Sequence, residues 1–172
     1  LPLEVEWRAG EGRARLVVGR ERVELRLGET SAWVRLKFKR NWHSTAVHAI
    51  ARFNLVALEP EFRLYVSPLN ISPERPALPI SWPEAYSGYL AKRHGLFSTL
   101  GLAEDTWALT SGAIDETAFL GQVYDIHAER EAMFFNALRL TRRGVCMCVF
   151  DITDRVQHTF LRRGSEQDGP LA

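Results

Sequence analysis

Residues 148–160 read CVFDITDRVQHTF, and within them apolar side chains give way abruptly to polar ones. The run VCMCVF, which ends at Phe150, is apolar throughout, which is typical of a strand buried on both faces of a parallel sheet. Asp151, Asp154 and His158 follow it directly. Ligands of open α/β sheets bind beyond the carboxyl ends of the strands, so this position favours a functional site. A loop with ordinary polar residues is the alternative.

Asp154 and His158 are four residues apart, so a helical turn after the strand would place both side chains on one face. A carboxylate and an imidazole in this arrangement suit a divalent metal ion such as zinc or manganese. The alternative is a capping aspartate followed by a surface histidine. For Asp151, we favour a cap of the same turn over a hydrogen-bond acceptor behind the metal ligands.

The segment before this stretch predicts a long helix over residues 115–143. Asp115 suits the N-cap position, and Arg139, Arg142 and Arg143 lie at the negative end of the helix dipole before Gly144. The apolar residues recur with a helical period: Phe119, Val123, Ile126, Met133, Phe134, Ala137 and Leu138. A long helix that leads into a buried strand is half of a βαβ unit. Residues 48–172 are therefore predicted to form an α/β segment with an incomplete parallel-type sheet and flanking helices.

Residues 1–47 are predicted to form a small antiparallel β element. LEVEW alternates, RARLVV and VELRL flank a hairpin turn at GRER, and WVRLKFK alternates strictly. The basic face of WVRLKFK could bind phosphate or nucleic acid, but a solvated outer sheet face is the favoured interpretation. Farther along, HAIARFNLVALE and FRLYVSPLNI are predicted as two strands, SPERPALPISWP as an irregular connection, and PEAYSGYLAKRHG as a helix that ends at Gly95.

Other polar groups have plain explanations. His43 and His48 flank Ser44 and Thr45, which could indicate a nucleophile and a base, but no Gly-x-Ser-x-Gly motif surrounds them and a linker is favoured. Glu104 and Asp105 form a carboxylate pair near a turn that lacks a second pair. His127 is predicted on the wet face of the long helix.

Composition excludes several classes of partner. The 172 residues carry a net charge of +1, so no strong field for nucleic acid is expected. No apolar run approaches the length of a membrane span. The two cysteines, Cys146 and Cys148, predict a reduced pair in a cytoplasmic protein.

Four blocks taken together resemble one family. They are YVSPLNISPERPALPISWP, GLAEDTWAL, FLGQVYDIHAEREAMFFNAL and CVFDITDRVQHTFLR, and they lie within residues 60–163. They are similar to the alkaline phosphatase superfamily, in the branch of phosphohydrolases and phosphomutases akin to type I phosphodiesterases. The β segment at the front weakly resembles an insertion of that branch.

The resemblance implies a mechanism. A Thr or Ser nucleophile attacks the phosphorus of a phosphate ester between two metal ions, and water or an alcohol resolves the phospho-enzyme. An Asp-x-x-x-His segment after a core strand supplies two ligands of one metal, zinc or manganese, and it matches Asp154 and His158 here. Arg155 would then lie near a phosphate.

The sequence also departs from the family. The nucleophile, a first metal-binding Asp, a downstream Asp-His-Gly segment and a further His are not identifiable, so no catalytic residue is assigned. We therefore expect an internal fragment of such an enzyme, inactive by itself and holding metal weakly. The missing part of the sheet predicts an exposed edge and a homo-oligomer. The alternative is a non-catalytic interaction or oligomerisation module.

Overall fold

The N-terminal half is built from short strands. The computed structural model describes residues 1–8, 10–39, 45–101 and 103–161. The strands in chain order are β1 (Leu3–Trp7), β2 (Arg13–Val18), β3 (Glu21–Arg26), β4 (Val34–Phe38), β5 (Val47–Ala51), β6 (Phe53–Ala57), β7 (Arg63–Val66) and β8 (Asn70–Ile71). The helices are α1 (Ala85–His94), α2 (Thr106–Thr110), α3 (Glu116–Leu140) and α4 (Ile152–Phe160).

Strands β1, β2 and β3 form an antiparallel meander, which confirms the predicted hairpin. Val18 lies opposite Glu21, so only Gly19 and Arg20 form the turn, and Gly19 adopts a φ of +63° that favours glycine. Alternate residues of β2 point inward: Ala14, Leu16 and Val18. They pack with Val34 and Leu36 of β4, whose predicted alternation is also confirmed.

Each of the two strands predicted within residues 48–71 is divided in the structure into two strands that belong to different sheets. β5 pairs with β4 and β8, whereas β6 pairs with β7, and the chain passes from one sheet to the other at Arg52. The return occurs at Ser67, whose backbone N–H donates to the carbonyl of Arg52 over 2.9 Å while its Oγ accepts from the Arg52 N–H at 2.9 Å. Pro68 has no N–H with which to continue a ladder, so β7 ends there.

The structure is mixed α/β, and the expected parallel-type sheet is not seen among the described residues. Every strand pair in the described part of the chain is antiparallel. Strand β4 lies before residue 47 and pairs with β5, which begins at Val47. This pairing links the two predicted segments 1–47 and 48–172, and their division stays a prediction. None of the described helices is long and apolar enough to cross a membrane.

Residues 145–150 are not the buried parallel strand that the sequence predicts. They pair with no strand among the described residues. Val145, Met147 and Val149 are 84%, 87% and 79% exposed. The intervening residues are half-buried against the protein. The segment is therefore covered on one side only, because none of the residues that the structure describes forms a second layer over its outer face.

The helices begin and end largely where the sequence predicts. Asp115 caps α3 through its Oδ1, which accepts from the Ala118 N–H at 2.7 Å, and Gly95 ends α1 with a φ of +92°. The short helix α2 was not predicted. Phe119, Val123 and Ile126 are the buried face of the first half of α3.

A buried arginine joins the sheets to α3. The Arg52 side chain is 11% exposed and forms ion pairs with Asp125 and, at 2.7 Å, Glu129. Its guanidinium lies 4.7 Å from the centre of the Trp33 ring. Glu129 also accepts from the Trp33 indole N–H at 2.6 Å and from the Ser98 amide at 2.8 Å. Burial raises the pKa of Glu129, and its hydrogen bonds and Arg52 oppose that shift.

We predict that Arg52→Met lowers the free energy of unfolding by about 3–5 kcal/mol, because it leaves the buried Glu129 carboxylate without its cation. The matched control is Arg35→Met, which removes an ion pair to Glu74 from an exposed guanidinium and should cost about 1 kcal/mol or less. Urea denaturation measures both. Adding Glu129→Leu to Arg52→Met should recover part of the loss. Equal effects of the two single variants would contradict this account.

Candidate functional site

Helix α4 brings Asp154 and His158 together, as the spacing predicts. Asp154 Oδ1 lies 3.2 Å from His158 Nε2. Their side chains are 64% and 81% exposed, so both are open to solvent and to a ligand. The expected position on one side of the helix is thus confirmed, although the preceding segment is not a strand of a sheet.

The separation of the two atoms fits a shared metal ion. Zinc binds imidazole nitrogen and carboxylate oxygen at about 2.0–2.2 Å. Two such ligand atoms 3.2 Å apart are close enough to contact the same ion. Asp154 and His158 can therefore hold one ion without moving far, with water in the other positions.

Asp154 and His158 alone would supply two of the four ligands that a zinc ion usually takes. No group of three or more His, Cys, Asp or Glu side chains that could hold a metal ion occurs in residues 1–8, 10–39, 45–101 and 103–161. Asp151 stands at the N-cap position of α4, but its side chain accepts no hydrogen bond from the helix. It pairs instead with Arg130 of α3. The capping role predicted for Asp151 is therefore wrong, because its carboxylate forms an ion pair with Arg130 instead.

Arg155 is directed into the protein. Its Nε lies 3.5 Å from Oε2 of Glu104, whose side chain is 2% exposed. The guanidinium therefore faces a buried carboxylate, which gives Arg155 an anchoring role. Its proximity to a phosphate stays a prediction of the resemblance alone.

An apolar stripe also holds α4 in place. Ile152, Val156 and Phe160 pack partly buried against the cluster around Phe119, and the Phe119 and Phe160 ring centres are 6.0 Å apart. No residue of α4 is fully buried. The helix is thus amphipathic: its apolar side and Arg155 face the protein, and Asp154 and His158 face solvent.

The inner side of residues 145–150 packs on α3. The Phe150 ring makes T-shaped contacts with His127 and Phe134 at centre distances of 5.4 and 5.7 Å. His127 is half-buried, so the prediction of a wet face is wrong; the contact with Phe150 covers the ring. Cys146 and Cys148 are free, and burial raises the pKa of the Cys148 thiol, which disfavours the metal-binding thiolate.

Two other groups of polar residues remain. His43 and Ser44 lie outside the described residues, so the linker that the sequence favours there, and the alternative of a nucleophile and a base, both stay predictions. Glu104 and Asp105 have different roles: Asp105 caps α2 by accepting from the Ala108 N–H at 2.9 Å, and it accepts from the Tyr65 hydroxyl at 2.9 Å. They do not act as a carboxylate pair.

Sequence reasoning missed Arg130 and the buried Glu104. Arg130 lies four residues after Ile126, on the apolar period of α3. A charged residue on that period is a signal for a buried ion pair. Nothing near Glu104 in the sequence indicates its partner, which is 51 positions away at Arg155.

Comparison of the chain with protein-family models, curated protein sequences and solved structures found no match. The likeness of the four blocks to the alkaline phosphatase superfamily stays a prediction. Function must be inferred from the residues and their geometry.

We predict that Arg155→Met loosens α4, because Glu104 would keep a buried charge without a partner. Amide hydrogen exchange of residues 152–160 should quicken, and the free energy of unfolding should fall by about 3 kcal/mol. Arg93→Met, on the exposed end of α1, is the control and should change neither quantity. Unchanged exchange in Arg155→Met would show that the apolar stripe alone holds the helix.

Proposed function

We propose that this chain supplies part of the active centre of a metal-dependent phosphoric ester hydrolase or phosphomutase. Asp154 and His158 would bind one divalent ion, zinc or manganese. The observation that carries the proposal is their 3.2 Å contact on the solvent face of a helix that is anchored on its other side. The four blocks that resemble phosphohydrolases and phosphomutases support the same reaction class.

A bound divalent ion would stabilise negative charge on the oxygens of a phosphate ester. The contribution of the chain is to hold the ligands. Arg130 fixes Asp151 at the start of α4, and the contact between Arg155 and Glu104 fixes its middle. Asp154 supplies a carboxylate oxygen and His158 supplies Nε2. The nucleophile is not assigned to any residue, and the free thiols accord with a cytoplasmic location.

We expect zinc and manganese to bind this chain weakly and at one site. Asp154→Asn and His158→Gln should each weaken binding about tenfold or more, because each removes one of two protein ligands. Isothermal titration measures the affinity. His94→Gln, which removes an exposed imidazole at the end of α1, is the control and should bind as the parent chain does.

Isothermal titration also tests whether the bound metal ion increases the affinity for a phosphate ester. p-Nitrophenyl phosphate should bind more tightly to the chain when zinc is present, and this gain should vanish in Asp154→Asn. Metal binding that survives both ligand substitutions, or a gain that survives them, would refute the proposal. Loss of metal binding in His94→Gln would place the site elsewhere.

The second candidate, an interaction module, is favoured by one observation. Val145, Met147 and Val149 form an apolar stripe that is at least 79% exposed, along a segment without a strand partner in the described chain. Exposed edges of this kind recruit other strands. The sequence Val-Cys-Met-Cys-Val is the same in both directions, so an antiparallel pairing of two copies centred on Met147 would place Val145 opposite Val149.

We predict a concentration-dependent dimer that Met147→Arg converts to a monomer, because the charge would be buried at the centre of the paired strands. Analytical ultracentrifugation over a wide concentration range measures this. Trp107→Arg changes an apolar residue that is 80% exposed and far along the chain, and it should leave the dimer intact. A monomer at all concentrations, or a dimer unaffected by Met147→Arg, would exclude this interface.

A further inference from the structure

A second feature, separate from α4, is a cleft beside the turn between β2 and β3. It has a volume of about 710 Å³ and lies between that turn, the outer faces of β4 and β5, and the segment after β8. This volume is within the range of cavities that hold small molecules, about 300–1,000 Å³. Its polar lining includes Arg20, Lys37, Lys39, His48, Ser72 and Arg75.

The cleft carries an excess of positive charge. Five Lys or Arg and two Glu side chains line it. Arg35 and Glu74 neutralise each other through two hydrogen bonds of 2.9 Å. Four cations then face one carboxylate, Glu21. Within the described ranges, none of these four cations forms an ion pair with a carboxylate.

His48 lines the cleft together with these cations. It stands directly opposite Lys37 in the antiparallel pair of β4 and β5. Burial lowers the pKa of His48, and the charges of Arg75 and Lys37 add to the shift. The other charged side chains that line the cleft are Arg20, Glu21, Arg35, Lys39 and Glu74. Burial, Lys37 of β4 and Arg75 after β8 thus all disfavour the protonated form of the ring.

We propose that this cleft binds a small polyanion with a diphosphate group. Each phosphate of such a group can be placed near a different pair of cations, with the imidazole of His48 between them as a third donor. The surrounding surface does not suit a nucleic acid: the chain has a net charge of only +1, and Glu21 and Glu74 line the same cleft. The proposal does not depend on the metal pair of α4.

Inorganic pyrophosphate is the probe, titrated into the chain at constant ionic strength with EDTA, so that no divalent metal links it to Asp154 and His158. We expect saturable binding, and the Lys37→Gln/Arg75→Gln double variant should weaken it at least tenfold. Arg63→Gln is the matched control, because Arg63 is an exposed arginine on β7 away from the cleft, and it should change the affinity less than twofold.

A second readout is local to the site. The His48 ring, followed by NMR and assigned with His48→Gln, should show a higher pKa when pyrophosphate is bound, because an anion favours the protonated ring. Affinity should accordingly rise as the pH falls through the pKa of His48. An absence of saturable binding, an equal loss in Arg63→Gln, or an unchanged His48 pKa in the complex would overturn the proposal. So would tighter binding of a single-stranded oligonucleotide than of pyrophosphate at the same salt concentration.

Discussion

The buried charge of Arg52 constrains the rest of the structure. A guanidinium removed from water costs several kcal/mol unless carboxylates surround it. Asp125 and Glu129 supply them, and both belong to α3. Arg52 is also the residue at which the chain passes from the sheet of β5 to the sheet of β6. The same side chain therefore fixes where two sheets and the longest helix meet, and Trp33 and Ser98 are drawn to it through Glu129.

The candidate metal pair inherits its position from this arrangement. Arg130 follows Glu129 on α3 and holds Asp151, which begins α4. Farther along α4, Arg155 reaches the buried carboxylate of Glu104. α4 has no fully buried residue, so these two ion pairs supplement a modest apolar contact. Asp154 and His158 can be largely exposed because neighbouring residues on the same helix, rather than the pair itself, attach the helix to the protein.

The features that the sequence predicts correctly are those that depend on residues close together in the chain. The Asp115 cap, the stop at Gly95, the alternation of β2 and β4, and the shared face of Asp154 and His158 each depend on residues at most a few positions apart. The passage between sheets at Arg52 depends instead on Glu129, 77 positions away. Residues 145–150 were predicted to be buried because their composition is apolar, but composition cannot say whether a second layer covers them. His127 was wrongly predicted to be exposed for a similar reason. Its neighbours in sequence are acidic, and Phe150, which covers its ring, is far away in the sequence.

The two candidate functions converge on one stretch of chain. The exposed stripe of Val145, Met147 and Val149 ends five residues before Asp154, the first residue of the candidate metal pair. Each is incomplete in the same sense, because the stripe has no partner strand and the pair has no third protein ligand among the described residues. A strand laid beside residues 145–149 would bring one of its own ends close to the start of α4. In the antiparallel pairing of two copies centred on Met147, that end would carry Arg143, which would lie opposite Asp151. An arginine is not a metal ligand, so a second copy would cover the exposed segment without completing the metal site, and the two functions would require different partners.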